Sequence, residues 1–536
     1  IASARPTAAL VSTQLYHRGA MGSRAPRLRY NDAMSTRPNV QAQRMPRPNS
    51  HIAAAVVLLC GLLAFVPGLT GYFLADDFVL LSWTRVHSLN EVAGFFDPNV
   101  AWFYRPVVKL LYWAGQSIFG LRAAPFHVVS LLLHYANAFM VYRLAVGYLP
   151  AGRWAMGLAA GLLFLLNSHH AETVSWVAAV GDLLGLFCVL AALLLFSRYL
   201  SSRRGWALGA SLGVFALGLL ARETAVMLPL LAVGYGISSG RLPSDSERSS
   251  WVKRLGVALT LYGALLLTYF AVVTGGRVSA QGPARGGLAF RALNLDSIVL
   301  GIFDYVHGLV PWGRSLSALP LDTLKTVVLL EALAVAALFG VLLWQKQRLA
   351  LFGLVWMMST PLLFVFFSGP TDRYFYLPSA GYALLVTGLA GWLASGISRW
   401  HRIAPAQLTR SAAAVVAVLL GLVLLAQVRD LLVREGAWGE AGKVSGGVFN
   451  DVKKAVPRPG ARALFVFVGL PAFLDGVPVF QNALPQAVQL VYDSSTISAA
   501  AVKCDELQGQ PKGGEYHVFI FKGDGVREAA AGEPCR

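Results

Sequence analysis

Charged residues are scarce in this 536-residue chain, where Asp, Glu, Lys and Arg together make up 13%. A soluble domain carries about a quarter, so a string of soluble domains is excluded, although the length alone would suit one. Acids are scarcer than bases, 27 against 45, for a net charge of +18. The first fifty residues hold eight Arg and one acid, Asp32. Most other bases sit in short gaps between apolar runs, which is the footprint of cytoplasmic membrane loops and not of a nucleic-acid surface. Cysteine is also rare. Cys60, Cys188, Cys504 and Cys535 have no metal-site spacing, which argues against a structural zinc module. Cys504 and Cys535 are expected to pair if their surroundings are oxidising. Internal repeats are lacking too, which weighs against a solenoid and against the repeat symmetry common in secondary transporters.

What is abundant is apolar sequence, 56% of the chain. With about 20 residues needed per span, helices are expected near 51–73, 124–148, 154–168, 177–200, 206–220, 224–239, 255–274, 324–344, 349–367, 378–398 and 411–429. The first of these has the length of a signal peptide, but no small-residue cleavage site follows it, so it reads as a membrane helix. Met21, Met34 and Met45 are alternative starts. With the basic segment 1–50 disordered and cytoplasmic, the loops carrying Arg153, Arg203–Arg204, Arg241, Lys346–Arg348 and Arg402 all fall inside, in agreement with the positive-inside rule. The apolar stretch 294–312 is interrupted by Asp296, Asp304 and His307. It reads as an interfacial or re-entrant helix on the outside. The expected organisation is therefore an all-α polytopic domain over 51–430, with a first outer loop at 74–123. A small extracytoplasmic α/β domain over 431–536 follows, marked by the alternating runs ALFVFVG and YHVFIF.

The unusual polar residues then gather on the outer face: Asp76–Asp77, Tyr104–Arg105–Pro106, His169, His170 and Glu172, Arg222–Glu223, Arg277, Arg285 and Arg291, and Asp372–Arg373–Tyr374. An ionisable group near the bilayer costs about 2.5–3.5 kcal/mol or more at a helix centre and needs a partner or a function. Asp182, inside the fourth helix, points to Arg222 as its partner. Adjacent residues do not share a helix face, so one acid of the Asp76–Asp77 pair is expected to cap the following helix and the other to serve as a general base. Arg105, Arg222 and Arg373 have the forked donors that match phosphate oxygens. His170, Glu172, Glu223, Asp372 and Tyr374 are candidates for positioning. The histidines match no zinc spacing, so no metal ligand is assigned. No cofactor is implied either, although a divalent cation remains compatible with such a set.

The order DDF, YRP, FHVVSLLLH, HHAETVSW with GDLLG, ARETAVMLPLL and DRYFYLPSAGY resembles the GT-C glycosyltransferases. Within them it resembles the membrane part of the transmembrane-and-tetratricopeptide-repeat O-mannosyltransferases and their bacterial relatives, over roughly residues 55–400. The resemblance implies a GT-C-like fold in a membrane, with a bacterial cytoplasmic membrane as the expected location. It also implies a polyprenyl-phosphate-linked monosaccharide as donor, an acceptor hydroxyl on a glycan, lipid or protein, and catalysis on the outer face with inversion. By the same resemblance, Asp76 and Asp77 match the acidic pair that holds the base. Arg105 matches the YRP arginine, His170 and Glu172 match an H-x-E, Arg222–Glu223 match a Lys–Glu, and Asp372–Arg373–Tyr374 match a Glu–Arg–Tyr. The chain departs from the pattern at Asn167 and Ser168, where the family has His and Pro, and it lacks the tetratricopeptide repeats. A polysaccharide ligase or polymerase, a transporter and a non-catalytic scaffold are the rival readings.

The topology is open to a direct test. Single cysteines at position 203 and within 431–536 of an otherwise cysteine-free chain are expected to differ in reactivity towards an impermeant maleimide added outside. The C-terminal site labels and position 203 is protected; the reverse pattern would invert the model.

Overall fold

The computed structural model describes residues 50–99, 103–150, 154–239, 245–279, 295–309, 319–365, 371–400, 406–504 and 515–529. The side chains of Arg277, Arg285, Arg291 and Cys535 lie outside that description, as do the N-terminal basic segment and the loop residues Arg153, Arg241 and Arg402.

The first helix, α1 (Ser50–Leu69), leads through a tight turn into three helices that precede the second expected span: α2 (Asp76–Trp83), α3 (Leu89–Ala93) and α4 (Pro106–Phe119). Then come α5 (Ala123–Tyr148), α6 (Trp154–Leu165), α7 (His170–Ser175), α8 (Val180–Ser202), α9 (Gly205–Ala221) and α10 (Leu228–Ser238). The membrane part ends with α11 (Asp245–Ser279), α12 (Leu295–Leu309), α13 (Leu321–Trp344), α14 (Arg348–Ser359), α15 (Leu362–Val365), α16 (Tyr376–Trp400) and α17 (Ala406–Ala455).

Every expected span coincides with a helix. Among the described residues, 8 helices are long and apolar enough to cross a membrane. The other three expected spans coincide with shorter apolar helices, Trp154–Leu165, Gly205–Ala221 and Glu223–Ser238. The segment read as interfacial is a short helix as well, Ile298–Leu309. The chain is an integral membrane protein, all-α in its membrane part.

One boundary differs from expectation. The helix α17 does not stop near residue 430 but runs unbroken for 50 residues. The stretch WGEAGKVSGG looks like a break because glycine destabilises helix interiors. Here apolar periodicity outweighs that cost: Leu431, Trp438, Ala441, Val444, Val448 and Val452 are all buried at helical spacing. Gly442 also lets two backbones meet, since a Cβ there would lie 2.6 Å from the Cα of Gly71.

Beyond α17 the strands β1 (Leu464–Val468), β2 (Phe473–Leu474), β3 (Val477–Pro478), β4 (Ser498–Val502), β5 (Tyr516–Lys522) and β6 (Gly525–Glu528), with helix α18 (Leu484–Tyr492), form the small α/β region. Its sheet runs β4-β1-β5-β6, with β1 parallel to β4 and β5 and β6 antiparallel to β5. The central strand LFVFV is apolar on both faces, as a strand covered from two sides requires. Phe465, Phe467 and Phe519 build the core of the sheet. Helix α18 lies against α2, and the hairpin β2–β3 and strand β6 lie against α17.

The sheet carries a titratable clamp. His517 places Nδ1 2.8 Å from Glu528 and Nε2 2.7 Å from Glu515. Burial opposes its charge, but the two carboxylates outweigh burial and hold the imidazole above its ordinary value, about 6.5. A group raised in the folded state contributes stability that is fully present below that ordinary value and lost as pH rises through the raised one. Amide protection of β5 and β6, corrected for intrinsic exchange, should therefore fall over that window in the full-length protein. It should be flat in His517→Gln. Identical pH dependence in the variant would remove the clamp.

Candidate active site

The acidic pair sits on a turn with an unusual backbone. The N–H of Asp77 donates to the carbonyl of Leu74 at 2.9 Å, closing a four-residue turn. Ala75 inside it adopts φ 39 and ψ -111, near the first central position of a type II′ turn, which favours glycine. Its N–H donates to the carbonyl of Val479 at 2.8 Å.

The two acids have different surroundings. Asp77 is 1% exposed. Its carboxylate accepts the N–H of Leu74 at 2.9 Å and of Ala178 at 2.6 Å, with the Tyr112 hydroxyl at 3.3 Å. It thus ties its own turn to the 3-10 turn Val177–Ala179 that opens α8; the expected cap on α2 is not formed, since the N-cap position is Ala75 and no side chain bonds there. Burial pushes its pKa up to about 8 against the pull of those backbone donors. Asp76 is exposed. Partial burial raises its pKa and the positive charge of Arg373 pulls the other way, leaving a carboxylate more basic than usual.

The remaining charged residues are arranged as pairs. Arg105 donates Nε and Nη2 to Glu223 at 2.9–3.1 Å. Arg222 places Nε 2.9 Å from Asp182, the partner expected from sequence, and 3.9 Å from Glu223. The backbone N–H of Arg373 donates to Glu172 at 3.2 Å, and its Nε lies 3.8 Å from the same carboxylate. Burial pushes Glu172 up to about 7, against the charge of Arg373. Asp372 accepts from His169 at 2.8 Å and from Arg434 of α17. Arg373 differs from the other arginines. Its guanidinium lies 5.0 Å from the ring centre of Trp176 and 5.3 Å from that of Tyr374. Its Nε is buried with no hydrogen-bond partner among the described residues.

Beneath this layer lies a fully buried polar cluster. His134 faces the Leu165 carbonyl through Nε2 at 3.0 Å, so Nε2 donates and Nδ1 accepts from the Tyr376 hydroxyl at 2.9 Å. Asn137 donates to that same hydroxyl oxygen at 3.0 Å. The hydroxyl of Ser379 donates to the carbonyl of Tyr376, so its oxygen accepts from Nε2 of His170 at 2.9 Å. That leaves Nδ1 of His170 bare and without a partner among the described residues. Among the described residues no group of three His, Cys, Asp or Glu is placed to hold a metal ion.

The structure thus gathers Asp76, Asp77, Arg105, His170, Glu172, Arg222, Glu223, Asp372, Arg373 and Tyr374 around one cluster. Sequence reading missed Arg434 and Glu435. Glu435 is buried and accepts the Ser175 hydroxyl at 2.7–2.9 Å. The missing signal was periodicity: Glu435 shares a face with Leu431 and Trp438, which shows only if the helix continues. Tyr112 carries no motif, and Trp176 closes HHAETVSW without a role of its own being legible.

Residues 103–271, about a third of the chain, match the family model described as dolichyl-phosphate-mannose-protein mannosyltransferase. The chain is 38% identical to the protein O-mannosyl-transferase Tmtc2 of Drosophila melanogaster over 145 residues, 26% of this chain and 15% of that protein. It is 27% identical to Tmtc1 of the same organism over 230 residues, 40% of this chain and 26% of that one. The chain thus spans about a quarter or less of the length of these curated relatives. The crystal structure of ArnT from Cupriavidus metallidurans bound to undecaprenyl phosphate aligns with a TM-score of 0.47 and 14% identity, covering 88% of this chain and 92% of that one. The chain resembles the GT-C glycosyltransferases. Within that class it resembles the membrane part of the transmembrane-and-tetratricopeptide-repeat O-mannosyltransferases.

The buried Arg222–Asp182 pair gives a stability prediction. Removing one partner leaves an uncompensated buried charge, a loss of about 3–5 kcal/mol, whereas replacing both by apolar residues is often neutral. Asp182→Asn should therefore lower the unfolding temperature in detergent more than the double change Asp182→Leu with Arg222→Met. Equal losses would show that the pair carries no such strain.

Proposed function

We propose that the chain is a membrane glycosyltransferase that moves a monosaccharide from a polyprenyl-phosphate donor to an acceptor hydroxyl on the outer face. The observation that carries this reading is the one acid of the cluster with neither an ion pair nor a hydrogen bond among the described residues, since Asp77 is held by the N–H groups of Leu74 and Ala178. Glu172, Asp182, Glu223 and Asp372 each face an arginine within 4 Å. Asp76 is exposed, forms no such pair among the described residues, and feels the charge of Arg373.

In this reaction Asp76 takes the proton of the acceptor hydroxyl as its oxygen bonds to the anomeric carbon. The bond from that carbon to the phosphate oxygen breaks, and the electron pair leaves with polyprenyl phosphate. The proton passes on to solvent. A phosphate leaving group needs charge stabilisation more than a general acid, unlike glycoside hydrolysis with its two cooperating carboxylates. Arg373 supplies that charge directly, held in plane by Trp176 and Tyr374. Arg105 stands at the rim. Arg222, buried against Asp182, acts through its field from behind, so its expected direct phosphate contact is reassigned to Arg373. Glu172 and Asp372 fix the 3-10 turn that carries Arg373, Glu223 fixes Arg105, and His170 anchors the segment that carries Glu172.

The proposed orientation puts the N-terminus in the cytoplasm and the α/β region outside, in a bacterial cytoplasmic membrane. The acceptor class, whether glycan, lipid or protein, is left to assay.

Asp76→Asn should lower turnover of a polyprenyl-phosphate sugar in proteoliposomes by about 10²–10⁴-fold while the protein stays folded and binds donor. Asp77→Asn should act on stability instead, because an amide nitrogen would face the backbone donors of Leu74 or Ala178. Full activity in Asp76→Asn would sink the assignment.

A further inference from the structure

We infer that the C-terminal α/β region is a positioning element of the active site, and that its β2–β3 hairpin with the two residues after it holds the Leu74–Asp77 turn in its productive shape. The inference rests on the reading of Asp76 as the base.

Ala75 is the observation to explain. A residue with a Cβ at φ 39 persists only where the surroundings over-determine it. Three supports surround it. Below, the carboxylate of Asp77 accepts the N–H of Leu74 at 2.9 Å. Behind, α17 contributes the carbonyl of Gly442, 3.2 Å from the N–H of Tyr72, and the hydroxyl of Ser445, which donates to the carbonyl of Phe73 at 2.7 Å. Above, the carbonyl of Val479 accepts the N–H of Ala75 itself at 2.8 Å. Two of the three supports come from beyond residue 430.

Phe480 seats the upper support. Its ring stacks on Phe78 of α2, with centres 6.2 Å apart and planes at 19°. It also meets Phe449 of α17 edge-on at 5.5 Å. Phe78 and Phe449 touch in turn at 5.4 Å. This aromatic triad joins the hairpin, the helix that starts with Asp76, and α17. The hairpin therefore fixes both the turn and the first helical residues after it, and so the direction in which the Asp76 carboxylate leaves the backbone. Val479 and Phe480 are positioning residues: they act through the turn and touch no reacting atom.

The test uses the full-length protein and a coupling measurement. Phe480→Leu keeps apolar volume and loses the stacked ring. It should lower kcat by about 10–10²-fold, the scale of a misplaced reacting group, with donor KM within twofold of the parent. Glycine adopts positive φ without strain. In an Ala75→Gly background the same Phe480→Leu change should therefore cost no more than about threefold, because the turn no longer depends on the hairpin. Phe480→Ala, measured the same way, gives a larger effect with the same rescue, and size-exclusion profiles in detergent identify any variant that has not folded. Equal losses in the two backgrounds, no loss from Phe480→Leu, or a loss confined to donor KM would each overturn the inference. Asp76→Asn is assayed alongside. If it is inactive while the 75–480 coupling is missing, the positioning role fails alone; if it retains turnover, the base assignment fails and takes the positioning role with it.

Discussion

A charge placed near the hydrocarbon core has to be compensated, and this requirement organises the charged cluster of the molecule. At an effective dielectric of about 20, opposite charges 4 Å apart attract by about 4 kcal/mol, comparable to the cost of placing one such group in the bilayer. Arg105 with Glu223, Arg222 with Asp182, Arg373 with Glu172 and Arg434 with Asp372 meet that requirement. These pairs connect α4 to the turn before α10, that turn to α8, α7 to the turn before α16, and that turn to α17. Segments far apart in sequence are thereby joined at one end of the bundle by ion pairs.

Such pairing makes a site inert unless something is left over. Among the described charged groups of this layer, two stand out. Asp76 has no ion-pair partner among the described residues, and the Nε of Arg373 has no acceptor. A base and an anion-binding donor are the two functions that transfer from a glycosyl phosphate requires. The adjacent acid shows how finely the division is made. Asp77 spends its acceptors on Leu74, Ala178 and Tyr112, so one member of the pair holds the scaffold while its neighbour is left exposed.

How much of this is legible in the sequence follows from which signals are local. Span positions are legible because twenty apolar residues have few alternatives. The Asp182–Arg222 pair is legible because a lone acid inside an apolar run demands a cation, and few lie at the same depth. The partner of Arg105 is not, because Glu223 lies 118 residues away and several acids share the face. Nor is the role of α17: the glycines of WGEAGKVSGG read as a break, and the use of Gly439 and Gly442 as points of close approach appears only once Pro67 of α1 and Gly71 just after it are beside them. The strained Ala75 leaves no trace in the sequence, since alanine at that position carries no turn signal.

Depth ties these features together. The helix α6 has 12 residues, about 18 Å at the usual rise, against a hydrocarbon thickness of about 30 Å. With its first turn at the inner boundary, as the proposed topology has it, α6 ends about 12 Å short of the outer one. The segment Asn167–His170 therefore begins inside the outer leaflet, and the His134–Tyr376–Asn137 cluster lies level with it or deeper. A polar cluster at that depth suits the proposed substrate, whose phosphate is joined to a membrane-soluble chain. A low dielectric strengthens attraction to an anion and repulsion between neighbouring arginines alike, and so a site of the proposed kind needs the carboxylate partners of its arginines in place.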